Sequence, residues 1–224
     1  SVSDRVPIHG ETSLVASIDW LQGDSFRVER VSSGDAADPL ETGAGDRADE
    51  GRPAFLGRLA GFGMLGQQSG LEIGASALVG TSNVAARART QVYGVDFKAK
   101  LWTSPRAYLV LQGEGLRLDA EQAGWDPAAG YTRQRVARLG GYVFADYNFA
   151  LRYDVGAAWE RFQQPIPGEP VQQSIGLFAG FAPFEETTVV RADWRRTLPD
   201  DGASIDTFTL RVVFSMGPHK AHQF

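Results

Sequence analysis

The chain has 224 residues, a net charge of −5 and an ordinary apolar content of 43%, enough for one domain or one barrel. It contains no cysteine, which excludes disulfides, thiolate nucleophiles and Cys-based metal sites. Its mild acidity argues against nucleic acid as a partner, and no stretch approaches the ~18 apolar residues of a spanning helix.

From Ser1 the chain opens on a polar stretch without a signal-peptide pattern, so the expectation is a processed or partial chain. The first expected strand, 12–21, puts Leu14, Ala16, Ile18 and Trp20 on one parity. A long acidic loop follows, at about 22–53, with Asp35, Asp38, Glu41, Asp46, Asp49 and Glu50 against Arg47. It lacks EF-hand spacing and reads as a solvated outer loop, with divalent-ion bridging to lipopolysaccharide as the functional alternative. Strand 54–64 alternates poorly, and its faces are not assigned.

Strand 70–80 is the clearest of the chain. Leu71, Ile73, Ala75, Ala77 and Val79 occupy one parity, and Glu72, Gly74 and Ser76 the other. Side chains alternate faces along a strand, so one face is apolar and one polar. The same pattern recurs in 91–102 (Tyr93, Val95, Phe97, Ala99, Leu101), 106–118, 149–162 (Leu151, Tyr153, Val155, Ala157, Trp159), 173–182, 187–196 and 205–216 (Phe208, Leu210, Val212, Phe214, Met216). Strand 134–145 is again poorly alternating. About ten strands result, with no long helical window.

Connections alternate in length. Short ones fall at 65–69, Thr103–Pro105, Asp146–Asn148 and Pro183–Glu186; long ones fall at about 22–53, 81–90, 119–133, 163–172 and 197–204. Bacterial outer-membrane barrels join an even number of strands by short periplasmic turns and longer outer loops. Directions assigned from loop length place Trp20, Tyr93, Trp159, Trp194 and Phe208 on apolar parities near the long-loop end. Phe181 and Phe214 fall near the short-turn end, which makes a pair of interfacial girdles. The predicted fold is therefore all-β: an antiparallel transmembrane β-barrel, a single domain over 1–224, in the outer membrane of a Gram-negative bacterium. A soluble β-sandwich is the competing reading.

Under the barrel reading the inward row holds Glu72, Asp96, Lys98, Lys100, Glu114, Arg152, Asp154, Glu160, Arg191, Asp193, Arg195 and Arg211. Six acids and six bases predict interleaved ion pairs and weak charge selectivity. Ten strands enclose little space. The charges therefore either close the lumen or line a narrow pore.

The tail Ser215-Met216-Gly217-Pro218-His219-Lys220-Ala221-His222-Gln223-Phe224 resembles the C-terminus of a group of Gram-negative outer-membrane β-barrels described as porin-like or as zinc-regulated outer-membrane receptors. The segments Leu71–Ser76, Tyr93–Lys98 and Gln112–Glu114 are similar to that group's interior strands, and the resemblance covers roughly 54–224. It implies a passive porin-like role, a periplasmic tail at 217–224, and a chain that is the C-terminal part of a larger barrel. No plug-like domain accompanies it, so energy-driven transport is not implied. The run Thr207-x-Thr209-x-x-Val212-x-Phe214 has the aromatic spacing read by the barrel-assembly machinery, though it lacks the usual glycine.

The zinc label draws attention to His9, His219 and His222, all near the short-turn end; they would meet if the first and last strands paired. A flexible tail is the plainer reading. No histidine lies on a long loop, so a Ser–His or Asp–His hydrolase is not expected, and neither is any other enzyme or cofactor. Gly43-Ala44-Gly45 is not followed by a helix pattern or by Lys-Ser/Thr, which excludes a phosphate loop. The expected function is passive passage of small solutes. The alternative is a closed structural barrel acting as a sleeve for a partner protein. Membrane lipid, lipopolysaccharide, the assembly machinery and a periplasmic or lumenal protein are the expected partners.

Overall fold

The structure, a computed structural model, describes residues 2–9, 12–22, 53–83, 86–165, 168–184 and 188–214. They form one antiparallel sheet of eleven strands in simple sequence order. The strands are β1 (Val2–His9), β2 (Thr12–Gln22), β3 (Pro53–Leu65), β4 (Ser69–Asn83), β5 (Ala88–Ser104), β6 (Ala107–Asp126), β7 (Gly130–Phe149), β8 (Tyr153–Gln163), β9 (Val171–Phe184), β10 (Thr188–Pro199) and β11 (Ile205–Phe214). None of the described residues is helical.

All ten expected strands are present, and β1 precedes them. Its sequence hides it, because Asp4, Arg5 and Pro7 interrupt a weak alternation of Val2, Val6 and Ile8. Proline is tolerated on an edge strand, and the pairing with β2, Val2↔Ile18 to His9↔Thr12, shifts register just after Pro7. The described residues thus hold eleven strands. The two edges, β1 and β11, are not hydrogen-bonded to each other. Every neighbouring pair is antiparallel, so β1 and β11 run in the same direction.

Beyond the expected loop 81–90, most of which is taken up by β4 and β5 pairing as far as Asn83↔Ala88, two connections differ from expectation. The 119–133 segment is not a long loop: β6 and β7 continue through it, pairing from Asp119↔Ala137 to Asp126↔Gly130. Arg135 donates to both oxygens of Asp119 across the pair, and Trp125 meets Tyr131 edge-on at 5.1 Å. The Asp126 carboxylate accepts from the backbone N–H of Ala128 and Ala129 and closes the tip. These two N–H groups hold its pKa below the usual carboxylate range. Polar residues in this stretch pair across strands, so its polarity does not mark a loop. The length asymmetry between the two ends of the sheet is therefore carried partly by overhanging strand.

The second difference is the β7–β8 turn. It lies at 150–152, not at Asp146–Asn148, which belong to β7. Ala150 (φ 52°) and Leu151 (φ 58°) take the left-handed conformation of a two-residue hairpin turn, and the N–H of Arg152 donates to the Phe149 carbonyl at 3.3 Å.

The sheet has no conventional core. Among the described residues the buried apolar side chains are alanines, with Leu78 and Val136. Large apolar side chains are instead exposed: Ile18, Trp20, Ile73, Val95, Leu139, Phe208 and Leu210 all lie on one face.

Candidate functional site: the charged face of the sheet

The register fixes which residues share a face. On β4 the row Leu71, Ile73, Ala75, Ala77, Val79 faces the apolar side, with Ile73 58% exposed. Glu72, Gly74 and Ser76 face the other side, where they are half-buried or buried. Pairing carries this division across the sheet and settles the two strands with unclear faces. On β3, Phe55, Gly57 and Leu59 are apolar-side and Leu56, Arg58 and Ala60 are on the charged side. On β7, Leu139, Val143 and Tyr147 are apolar-side and Tyr142, Phe144 and Asp146 are on the charged side.

The charged face holds two Arg-centred networks. In the first, Arg58 of β3 forks onto Asp96 of β5 and donates to Glu72 Oε1 of β4 at 3.3 Å. Gly74 makes room for it, since a Cβ there would sit 2.6 Å from Arg58 Nη2. In the second, Arg191 of β10 donates to Asp154 of β8 at 2.7 Å and to Asp146 of β7 at 3.2 Å. Its guanidinium also lies 4.1 Å from the centre of the Phe178 ring, which stacks on Phe144 at 5.5 Å. Gly180 lies directly under Asp154, where any side chain would collide. One oxygen of Asp146 is buried without a hydrogen-bond partner among the described residues.

The other expected inward residues are placed as follows. Glu160 accepts from Arg195 at 3.2 Å, and Asp193 from Arg211 at 2.9 Å. Lys98 lies opposite Glu72, and Glu114 lies opposite Asp96. The Lys100 ammonium sits 4.5 Å from the Tyr108 ring and 5.1 Å from the Trp102 ring. A cavity of about 540 Å³ lies beside it, lined by Phe62, Met64, Glu72, Lys98 and Trp102. Arg152 is a correction: it lies in the β7–β8 turn, exposed, and is not part of the row. Leu151 leaves the apolar row for the same reason.

Arg58 and Asp146 were missed from sequence. Arg58 sits in a strand with poor alternation. Asp146 was absorbed into a turn that its Asp-Tyr-Asn composition suggested. A search for an unpaired opposite charge at the same register would have pointed to Asp146, because Arg191 has no adjacent acid of its own on β9 or β11.

The aromatic residues fall into two bands on the apolar face. Toward the long connections lie Trp20 beside Phe55 (6.1 Å), Tyr93, Trp159, Trp194 and Phe208. Trp194 donates its indole N–H to Asp206 at 3.0 Å. Toward the short turns, Tyr147, Phe149, Tyr153 and Phe181 stack in sequence at 6.1, 5.5 and 5.1 Å, with Phe214 exposed on β11.

His219, His222 and Met216 lie outside the described residues, as does the acidic segment 23–52. His9 ends β1, but its side chain is likewise outside them. Among the described residues no group of three or more His, Cys, Asp or Glu is arranged to hold a metal ion. No protein-family model, curated protein or solved structure matches the chain.

Proposed function

We propose that this chain forms the wall of an outer-membrane β-barrel through which small solutes pass passively. The observation that carries the reading is the inversion of the sheet's faces. The Arg58 and Arg191 ion pairs line one face, while Trp20 (72% exposed) and Phe208 (78% exposed) stand on the other, whose own pairs, made by Arg133, Arg135 and Arg196, lie toward the long connections. A water-soluble monomer does not present so large a contiguous apolar surface. Lipid outside and water inside accommodate both faces. The two aromatic bands match the two membrane–water interfaces. The resemblance of the tail and interior strands to porin-like barrels points the same way.

Hydrocarbon does not tolerate an open sheet edge. The reading therefore requires β1 and β11 to be joined, to each other as a parallel pair or through further strands. Cysteine pairs placed on β1 and β11 of this cysteine-free chain distinguish the two, since only direct neighbours cross-link.

Planar-bilayer recording tests the function. Passive passage predicts steady single-channel conductance and a small reversal potential in a salt gradient, because acids and bases are nearly equal in number on the charged face. Silence over a wide voltage range would sink the pore and favour a structural sleeve. That second reading has its own support in the Phe144–Phe178–Arg191 stack, which fills space on the charged face.

A further inference from the structure

We infer that the apolar face carries a built site for a phosphate-bearing lipid of the outer leaflet, one acyl chain lying in a trough between β5 and β8 and the phosphate held by Arg161 and Arg117. The inference rests on the membrane reading above and adds a ligand to it.

The trough has a sequence cause. In the β6–β7 pairing Gly115 faces Gly141, so two adjacent strands lack side chains at the same level of the apolar face. Val95 of β5 and Arg161 of β8 flank them in the same row. One step toward the short turns the trough is floored: the Phe97 ring lies over Gly113, and Val143 and Trp159 follow it in the same row. The groove measures about 710 Å³ and is lined by Val95, Gly115, Leu139, Gly141, Trp159 and Arg161 among others. Three strand spacings separate β5 from β8, about 14 Å, which leaves room for a hydrocarbon chain between the flanking side chains.

The two facing glycines have different reasons. A Cβ on Gly141 would lie 2.6 Å from the Glu114 carbonyl, so the backbone itself demands glycine there. A Cβ on Gly115 would meet only Val95 Cγ2, at an ordinary 3.8 Å. Nothing within the sheet requires Gly115 to be bare, and its bareness keeps the trough open.

Charge lies at one end of the trough. Arg161 is in the Gly115 row, and Arg117 is one row nearer the long connections, level with Tyr93 and Leu139. Both are exposed; Arg117 lies within electrostatic reach of Asp119, whose oxygens are held by Arg135. The nearby acids are engaged elsewhere: Asp119 with Arg135, and Glu121 with Arg133 at 3.8 Å. An apolar trough that ends in two exposed guanidiniums at the level of the Tyr93 and Trp159 rings matches an acyl chain joined to a phosphate.

The test uses the full chain in phosphatidylcholine vesicles with and without lipid A. Quenching of tryptophan fluorescence by brominated phosphatidylcholine reports insertion, and native mass spectrometry after detergent exchange counts retained lipid A. The wild type is expected to retain lipid A when inorganic phosphate is present in excess. R117Q/R161Q, and separately G115L, should insert normally but retain about tenfold less, the loss expected for a charge-assisted phosphate contact. Variants that insert and retain lipid A as the wild type does would overturn the site while leaving the membrane reading intact. Release of lipid A by inorganic phosphate would mean that an anion site, not a lipid site, is present. A wild type that brominated lipid fails to quench would remove the membrane reading and this site with it.

Discussion

The Arg58 and Arg191 networks solve the same problem differently. Arg58 reaches acids on the next two strands, β4 and β5, where Arg58 and Glu72 are 35% and 44% exposed and Asp96 22%. Arg191 reaches back over β9 to β8 and β7, under a Phe178–Phe144 stack, and its acids are only 12% and 20% exposed. The first is a lateral tie along an open wall. The second gathers four strands around one cation. Solvent screens the first more than the second, so the second carries more of the sheet's shape and is more fragile.

The largest expected effect comes from removing the shared cation. Arg191→Met leaves Asp146 and Asp154 facing each other half-buried, and should destabilise the folded protein by roughly 2–3 kcal/mol in urea titration. Adding Asp146→Asn and Asp154→Asn should recover much of that loss, because the cost lies in uncompensated charge. No recovery would mean that contact with Phe178 dominates. Arg58→Met should cost less, about 1 kcal/mol, since water can take over from the guanidinium. Equal losses at the two sites would erase the distinction drawn between them. The smallest effect is a gain. The β7–β8 turn joins the strands that bear Asp146 and Asp154, and non-glycine residues in the left-handed region are strained there. Ala150→Asn with Leu151→Gly should stabilise the protein by up to ~1 kcal/mol and slow amide exchange around Asp146 and Asp154, but not around Arg58.

The contrast also explains what sequence could reveal. Strand existence was legible wherever one parity was cleanly apolar, as in β4, β5 and β8, because period-2 alternation is a local property. That Glu72, Asp96, Asp154 and Arg191 share one face followed from parity alone. Partner choice did not. Arg191 and Asp146 are separated by two intervening strands, and only curvature of the sheet brings them together. Arg58 was obscured by Gly57, Ala60 and Gly61, which blur alternation where the backbone packs closely. The Asp146–Asn148 turn was a composition error: turn-forming residue types were read as a turn when they were facing a cation. The overhang of β6 and β7 was missed for a related reason, since Asp119, Glu121, Arg133 and Arg135 look like loop residues until they are paired across the hairpin. Closure at the two edges was beyond periodicity altogether.

The alanine-dominated interior has a thermodynamic consequence. Folding the sheet itself removes little large apolar surface from water, so the heat-capacity increment that curves most stability profiles is expected to be small per residue, well under the ~12–15 cal/mol/K of ordinary domains. Backbone hydrogen bonds and the surrounding solvent then set the temperature response. Such a protein should have a flat stability curve, with neither a sharp optimum near room temperature nor an accessible cold-unfolding limb.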